Sequence, residues 1–233
     1  GITGSCGKTS VKNFLAAILS VRSKVLATPE SYNTPLGIAK AVEGKDLNEY
    51  DFFLAEMGAR HAGDIRELCE LVEPDHCIVT GICPQHIETF GGIEGVIAAK
   101  GEILQGTKEG GFAVIGMDEN TEKLDASAAK LVKVSVGEHG ECGAIDVKCS
   151  TKGIDFKLAL GILQIEAHSK LLGAHNAANI ALAAATAFKL GFTKEEIAEG
   201  ISKIDYVPHR LQPYEANGVT ILDDAYNSNV RGA

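Results

Sequence analysis

The chain has 233 residues, 45% hydrophobic and 23% charged, an ordinary globular composition with enough apolar residues for one large α/β domain or two small ones. Its formal net charge of −9 argues against non-specific binding to nucleic acid or anionic membranes, while leaving room for a local basic pocket for phosphates. The cysteines, Cys6, Cys69, Cys77, Cys83, Cys142 and Cys149, form no C-x-x-C pair and no Cys/His ligand spacing, so they read as reduced, mostly buried thiols of a cytoplasmic protein.

Residues Gly1 to Ser10 read as a strand end, a glycine-rich turn and a helix start, which together make a phosphate-binding loop. Gly4 and Gly7 allow backbone angles that a Cβ would forbid, so the N–H groups from Gly4 through Ser5, Cys6 and Gly7 to Ser10 can converge on a phosphate. Lys8 would reach the β/γ-phosphates and the Thr9 hydroxyl would hold Mg²⁺. Ile2 stands where the first glycine of the full G-x-x-x-x-G-K-[ST] pattern belongs, so what remains is the shorter G-x-x-G-K-T. Val11, Phe14, Leu15, Ile18 and Leu19 then follow at helical spacing, as such a loop requires.

Lys24 to Ala27 is a short strand, and the stretch from Thr28 to Pro35 is a loop by its prolines and small polar residues. Within it Asn33 and Thr34 are candidate substrate or metal contacts, and turn chemistry with a cap for the helix from Leu36 accounts for them equally well. Asp51 to Glu56 is an apolar run closing on an acid at the carboxyl end of a strand, the place where ligands bind in open α/β sheets. A helix from Ala62 to Val72 and a strand from Cys77 to Thr80 follow. The loop Gly81 to Gly92 carries His86, which reads either as a metal ligand or as a plain surface histidine.

The helix from Ile93 to Gly106 contains Lys100, which on sequence alone is an exposed helix lysine. Short strands at Phe112 to Ile115, Leu131 to Val136, Ala144 to Cys149, Ile154 to Leu160 and Leu163 to Ala167 come next, the later ones as antiparallel hairpins on one edge of the main sheet. An alanine-rich helix to about Leu190 opens with Asn176 and Asn179, which can hold a nucleotide base or serve as helix caps and a buried polar pair. Its polar residues exclude it as a membrane span. A helix from Lys194 to Lys203 precedes the loop with Arg210, a candidate phosphate contact, and a strand from Val219 to Leu222 delivers Asp223 and Asp224. A chain that opens on the loop itself, and ends on what looks like the start of a further segment, reads as a piece of a longer protein.

These motifs occur in the order seen in the ATP-dependent Mur ligases of peptidoglycan synthesis, and the chain resembles that family along its whole length. The residues that carry the resemblance are Gly4 to Thr9, Ser31 to Pro35, Glu56 to His61, His86 to Gly91, Ala98 to Glu102, Gly173 to Asn176, His209 to Leu211 and Asp223 to Asn227. Within the family it is most similar to members that add D-alanyl-D-alanine to UDP-N-acetylmuramoyl-tripeptide, through Glu56 to Ile65 and Tyr226 to Asn229.

The resemblance implies a P-loop-containing, mostly parallel sheet flanked by helices, with a small antiparallel edge sheet. It implies that residues 1–222 are a central ATP-binding domain, that 223–233 are a hinge leading into a carboxyl-terminal domain, and that an amino-terminal UDP-sugar domain is absent. ATP would phosphorylate the peptide carboxylate, and the dipeptide amine would attack the acyl phosphate. Thr9 and Glu56 would hold one Mg²⁺, and His86 would help hold a second. Lys100, carried as a carbamate, would supply anionic oxygen beside the metal. Asn176 would contact adenine, Asp224 the ribose and Arg210 the phosphates, while Lys8 would balance the transferred charge. A monomeric cytoplasmic enzyme is implied. Another acceptor, as in diaminopimelate- or lysine-adding, folylpolyglutamate or cyanophycin ligases, is an alternative. A non-catalytic P-loop module is a second, although no Asn-Lys-x-Asp guanine-reading motif is present.

Overall fold

The computed structural model describes residues 1–85, 87–125, 132–137 and 139–225. The chain begins with β1 (Ile2–Thr3), α1 (Lys8–Leu19), β2 (Val25–Ala27), α2 (Pro35–Val42), β3 (Phe52–Leu54), α3 (Asp64–Val72) and β4 (Cys77–Val79). It continues with α4 (Ile87–Phe90), α5 (Ile93–Gly106), β5 (Phe112–Gly116), β6 (Val132–Val136), β7 (Cys142–Ser150), β8 (Gly153–Leu160) and β9 (Leu163–Ser169). Last come α6 (Ala174–Lys189), α7 (Lys194–Ser202), β10 (Gln212–Ala216) and β11 (Val219–Asp223).

The main sheet has the order β1-β4-β5-β6-β7-β8-β9. Pairing is parallel from β1 to β7 and antiparallel from β7 to β9, so the expected edge hairpins are continuous with the main sheet. On its other side the parallel pair β2 and β3 extends the sheet through the Ile2–Glu56 bridge, with Ile2 N donating to Ala55 O (2.9 Å) and Met57 N to Ile2 O (2.8 Å). Glu56 therefore emerges next to the phosphate loop.

Strands buried on both faces read as continuous apolar runs, and the alternation of side chains splits them between two cores. Ile78 and Val114 pack with α1, α6 and α7 on one face; Cys77, Val79, Ala113 and Ile115 pack with α3 and α5 on the other. Val11, Phe14, Leu15, Ile18 and Leu19 of α1 are all buried, as their spacing requires. The small side chains of α6, Ala181, Ala183, Ala184 and Ala185, have no exposed surface at all, and they let the helix lie close against α1 and the sheet. No helix among the described residues is long and apolar enough to cross a membrane.

Several local readings differ from the sequence expectation. The loop after β4 contains the single turn α4. A strand that the sequence did not suggest, β10, pairs antiparallel with β11 across Asn217 and Gly218, and β11 extends to Asp223, one residue past the expected boundary. Lys100 is 4% exposed, because it falls on the buried stripe of α5 with Val96, Ala99, Ile103 and Leu104. The expected exposed lysine is thus corrected.

Thr34 takes the capping role at α2: its hydroxyl accepts from Gly37 N (3.2 Å), with Pro35 in the first turn. Thr34→Ala is expected to cost about 1 kcal/mol of stability, read from denaturant midpoints. A change in nucleotide affinity without that loss would move Thr34 from cap to ligand contact.

Candidate functional site

The floor of the site is the turn from β1 to α1. Gly4 has φ 142° and Gly7 φ 81°, conformations that side chains disfavour, and an added Cβ would sit 2.1 Å from Thr80 Oγ1 and 2.6 Å from Asn179 Oδ1 respectively. Gly7 caps α1 without a side-chain hydrogen bond, and the first intrahelical bond is Val11 N to Gly7 O (2.8 Å). The N–H groups at the start of α1 are therefore left for a ligand, at the positive end of the helix. Lys8 Nζ folds back onto Gly4 O (2.9 Å) and Ser5 O (3.4 Å). Burial lowers its pKa from the ordinary lysine value, and Glu56 opposes that shift.

Two clefts meet over this turn. The first, about 320 Å³, is lined by Ser5, Cys6, Gly7, Lys8, Thr9 and Ser10, and by Glu56, Asn176, Arg210 and Asp224. It brings together all the expected nucleotide contacts except Gly4. The second, about 630 Å³, is lined by Gly4, Ser5, Lys8, Asn33, Thr34 and Lys100, with Arg60, His61 and Asp64. Ser5, Lys8 and Asn33 line both, so Lys8 stands at the junction.

Glu56 is 1% exposed, and each of its oxygens has a donor. Oε2 accepts from Lys12 Nζ (3.3 Å) and Oε1 from Asn33 Nδ2 (3.1 Å). Lys12 also donates to Glu30 O in the β2–α2 loop and has no exposed surface. Burial lowers its pKa from the usual lysine value, and the charge and hydrogen bond of Glu56 oppose that. Asn33 is thus an orienting partner of Glu56, a role that the sequence reading did not consider. Lys12 was missed altogether.

Arg210 Nη2 donates to Thr9 Oγ1 (3.4 Å), which ties the loop before β10 to the phosphate loop. Asp224 Oδ1 accepts from Leu211 N (3.2 Å). Asn176 is 7% exposed and its Nδ2 donates to Leu172 O (2.8 Å), the bond of a helix-start residue, which leaves its Oδ1 for other partners. His175 lines the first cleft, with a pKa that burial lowers and Asp224 opposes. Nothing in the Gly173 to Asn176 motif assigns His175 that place.

In the second cleft, Lys100 has its pKa pushed down to about 7, first by burial and then by the Lys8 charge. Asp64 and Glu102 oppose the shift, but both carboxylates are engaged elsewhere. Asp64 accepts from Arg60 N (2.8 Å) and His61 N (2.9 Å), Glu102 from Gly63 N (2.7 Å) and Arg66 N (3.0 Å). His86 and Tyr226 to Asn229 lie outside the described residues.

Among the described residues no group of three or more His, Cys, Asp or Glu side chains is placed to hold a metal ion. The Thr9 hydroxyl and the Glu56 carboxylate are nonetheless hard oxygen donors on one cleft, the donor type that suits Mg²⁺ when phosphate oxygens and water complete its shell.

Residues 2–187 match the family model described as the Mur ligase middle domain. The UDP-N-acetylmuramoyl-tripeptide–D-alanyl-D-alanine ligase of Escherichia coli K12 is 34% identical over 234 residues, covering 98% of this chain and 52% of that protein. The crystal structure of MurF from Acinetobacter baumannii superposes with a TM-score of 0.93 at 28% identity, over 99% of this chain and 52% of that one. The MurF ligase of Thermotoga maritima, solved in complex with ADP, gives 0.88 at 26% identity, over 100% and 54%. The chain spans about half the length of the relatives it matches. With the glycine turn, the sheet order and the paired clefts, the match over most of the chain means that this protein belongs to the Mur ligase middle-domain family.

Proposed function

We propose that this chain is the ATP-binding domain of a ligase that joins D-alanyl-D-alanine to UDP-N-acetylmuramoyl-tripeptide, through an acyl phosphate. The observation that carries the reading is the meeting of two clefts at Lys8, one lined by the phosphate loop and Arg210, the other by Asn33, Thr34 and Lys100. A phosphoryl group passing from one cleft to a carboxylate in the other crosses that lysine. The relatives named for this reaction, and the ADP bound by one MurF, support the same assignment.

In this reading the N–H groups at the start of α1 and the side chains of Lys8 and Arg210 orient the phosphates of ATP, and they neutralise charge as the γ-phosphoryl moves. Asn176, Asp224 and His175 also line the first cleft, and they would meet the base and ribose. Bound Mg²⁺ would supply Lewis-acid stabilisation of the transferring phosphoryl group. Thr9 and Glu56 would hold one ion, with Lys12 and Asn33 fixing the direction of the Glu56 oxygens. His86 and Lys100 would serve a second. A lysine with a pKa near 7 is partly neutral at physiological pH, and an amine in that form adds carbon dioxide to give a carbamate, an oxygen ligand that an ammonium is not. Residues 1–222 form the nucleotide domain, 223–233 lead into a domain that closes over the dipeptide, and the ligase acts as a cytoplasmic monomer.

The test is phosphate release by the parent protein with Mg-ATP and UDP-N-acetylmuramoyl-tripeptide, comparing D-alanyl-D-alanine, a single amino acid and no acceptor. Release that depends on the dipeptide is the expected result. Release with a different acceptor keeps the ATPase and moves the substrate to another ligase of the family. Tight nucleotide binding with no turnover under any acceptor would sink the ligase reading.

A further inference from the structure

We infer that Cys6 and Cys83 form an oxidative modification site, joining in a disulfide that lowers the affinity of the first cleft for nucleotide. The cross-link stands on geometry alone; its effect on affinity rests on the nucleotide reading above.

The two sulfurs are 2.9 Å apart, although 77 positions separate them in the chain. Cys6 lies in the phosphate loop between Gly4 and Gly7, and Cys83 in the segment that follows β4. Both line the first cleft. The segments that carry them are already fastened together. Ser5 N donates to Gly81 O (2.7 Å), Ser5 Oγ to Cys83 O (3.1 Å), and Thr80 Oγ1 to Cys6 O. A disulfide spans about 2.05 Å, so the sulfurs need to approach by less than ~1 Å, within backbone that is held in register.

The surroundings distinguish this pair from the remaining thiols. Burial pushes the Cys69 thiol up to about 11 and raises those of Cys77 and Cys142, which keeps all three protonated and inert. Cys149 is exposed on β7, away from both clefts. Cys6, by contrast, is only half-buried, and the Lys8 ammonium acts on both sulfurs of the pair.

The oxidant class is a peroxide. The Cys6 thiolate attacks one oxygen of hydrogen peroxide, the O–O bond breaks, and hydroxide leaves to take up a proton as water. The Cys83 thiol then loses its proton and attacks the sulfenic sulfur, so that the S–S bond forms as the S–O bond breaks and a second water departs. Two thiols and one peroxide give one disulfide and two waters. A dithiol reverses the reaction by exchange.

Affinity falls because of where residue 6 sits. In the nucleotide reading its N–H is one of those that would turn toward a phosphate, and Gly4 and Gly7 on either side, both at positive φ, supply the freedom for that turn. A side chain tied to the β4 segment removes the freedom at the middle of the loop. By linkage, a bound nucleotide shifts the dithiol–disulfide equilibrium toward the dithiol by a matching factor, and a nucleotide seated in the cleft that Cys6 lines covers the thiol from peroxide and slows its oxidation.

The experiment treats the 233-residue chain with hydrogen peroxide, with and without Mg-ATP, then alkylates and maps the cysteines by mass spectrometry. The affinity for a fluorescent ATP analogue is measured before treatment, after it, and after dithiothreitol. The expected result is a linked Cys6–Cys83 peptide whose formation ATP slows, with affinity reduced roughly tenfold or more and restored by the dithiol. In Cys83→Ser, compared with its own untreated control, the peroxide-induced drop disappears. Recovery of Cys6 and Cys83 as alkylated thiols, or as separate sulfinic acids, overturns the site. A linked peptide with unchanged affinity overturns the effect on binding. A reduced chain that binds no nucleotide overturns the nucleotide reading, and with it the effect on affinity, while a mapped cross-link still stands.

Discussion

Replacing Lys100 by alanine is expected to lower dipeptide-dependent phosphate release by the parent protein roughly 10²–10³-fold, the usual loss when one charge-stabilising group leaves a site. The reason begins with burial. A lysine on the inward stripe of α5 has traded water for a protein interior, and its nearest carboxylates are occupied by the backbone N–H groups of the α3 start. With its pKa at about 7, it offers neutral amine at working pH. If that amine carries carbon dioxide, ¹³C-bicarbonate gives the native protein a carbamate resonance that the Lys100→Ala variant lacks. Full activity in the variant would remove Lys100 from the chemistry.

The same shift has a consequence for the ligand-free fold. A folded pKa near 7 against 10.5 for the free side chain means that between those values the unfolded chain binds more protons than the folded one, so stability rises with pH across that window. The penalty for a charged Lys100 is fully present below about pH 7 and vanishes above the unfolded value. Lys100→Met is therefore expected to stabilise the chain at pH 7 in buffer free of carbon dioxide. Its advantage should shrink by on the order of 3 kcal/mol between pH 7 and 9.5. Urea midpoints at the two pH values measure this. A pH-independent difference would mean that Lys100 is not desolvated.

What was legible in the sequence, and what was not, follows from the range of the interactions involved. The phosphate loop could be read because its requirement is local: glycines at the two positions where φ is positive, then a lysine that opens an amphipathic helix. Glu56 could be read because a parallel strand delivers its last residue to the ligand edge of the sheet. Lys100 was placed at the surface although its spacing from Val96, Ile103 and Leu104 puts it on the buried stripe; a charged residue type outweighed the period. β10 went unread: it contains Pro213, a residue type that weakens a strand pattern, although Asn217-Gly218, with φ 52° and 76°, is a hairpin-turn pair. Asn33 could not be assigned to Glu56 from the sequence, since that hydrogen bond joins two loops 23 positions apart.

Lys12→Met is expected to destabilise the chain by roughly 3–5 kcal/mol, far more than removing an exposed ion pair such as Lys24–Glu49. Lys12 and Glu56 have side chains 0% and 1% exposed, so neither charge is shared with solvent. Taking the ammonium away leaves a buried carboxylate with Asn33 as its side-chain donor in the ligand-free state. It also frees the β2–α2 loop from its anchor at Glu30 O. The sequence signal was there: Lys12 lies one helical turn beyond Lys8, so both lysines leave α1 on the side where Glu56 ends its strand. The decisive measurement is a double-mutant cycle. If the cost of Lys12→Met is the stranded charge, Lys12→Met combined with Glu56→Gln should recover roughly 2 kcal/mol or more of it, because a neutral amide no longer needs the ammonium. Mg²⁺ should recover part of it in the single variant as well, since a dication at the Thr9 and Glu56 oxygens replaces the missing charge. Additive losses in the double variant, with no response to Mg²⁺, would reduce Lys12 to packing and leave the direction of the Glu56 carboxylate to Asn33 alone.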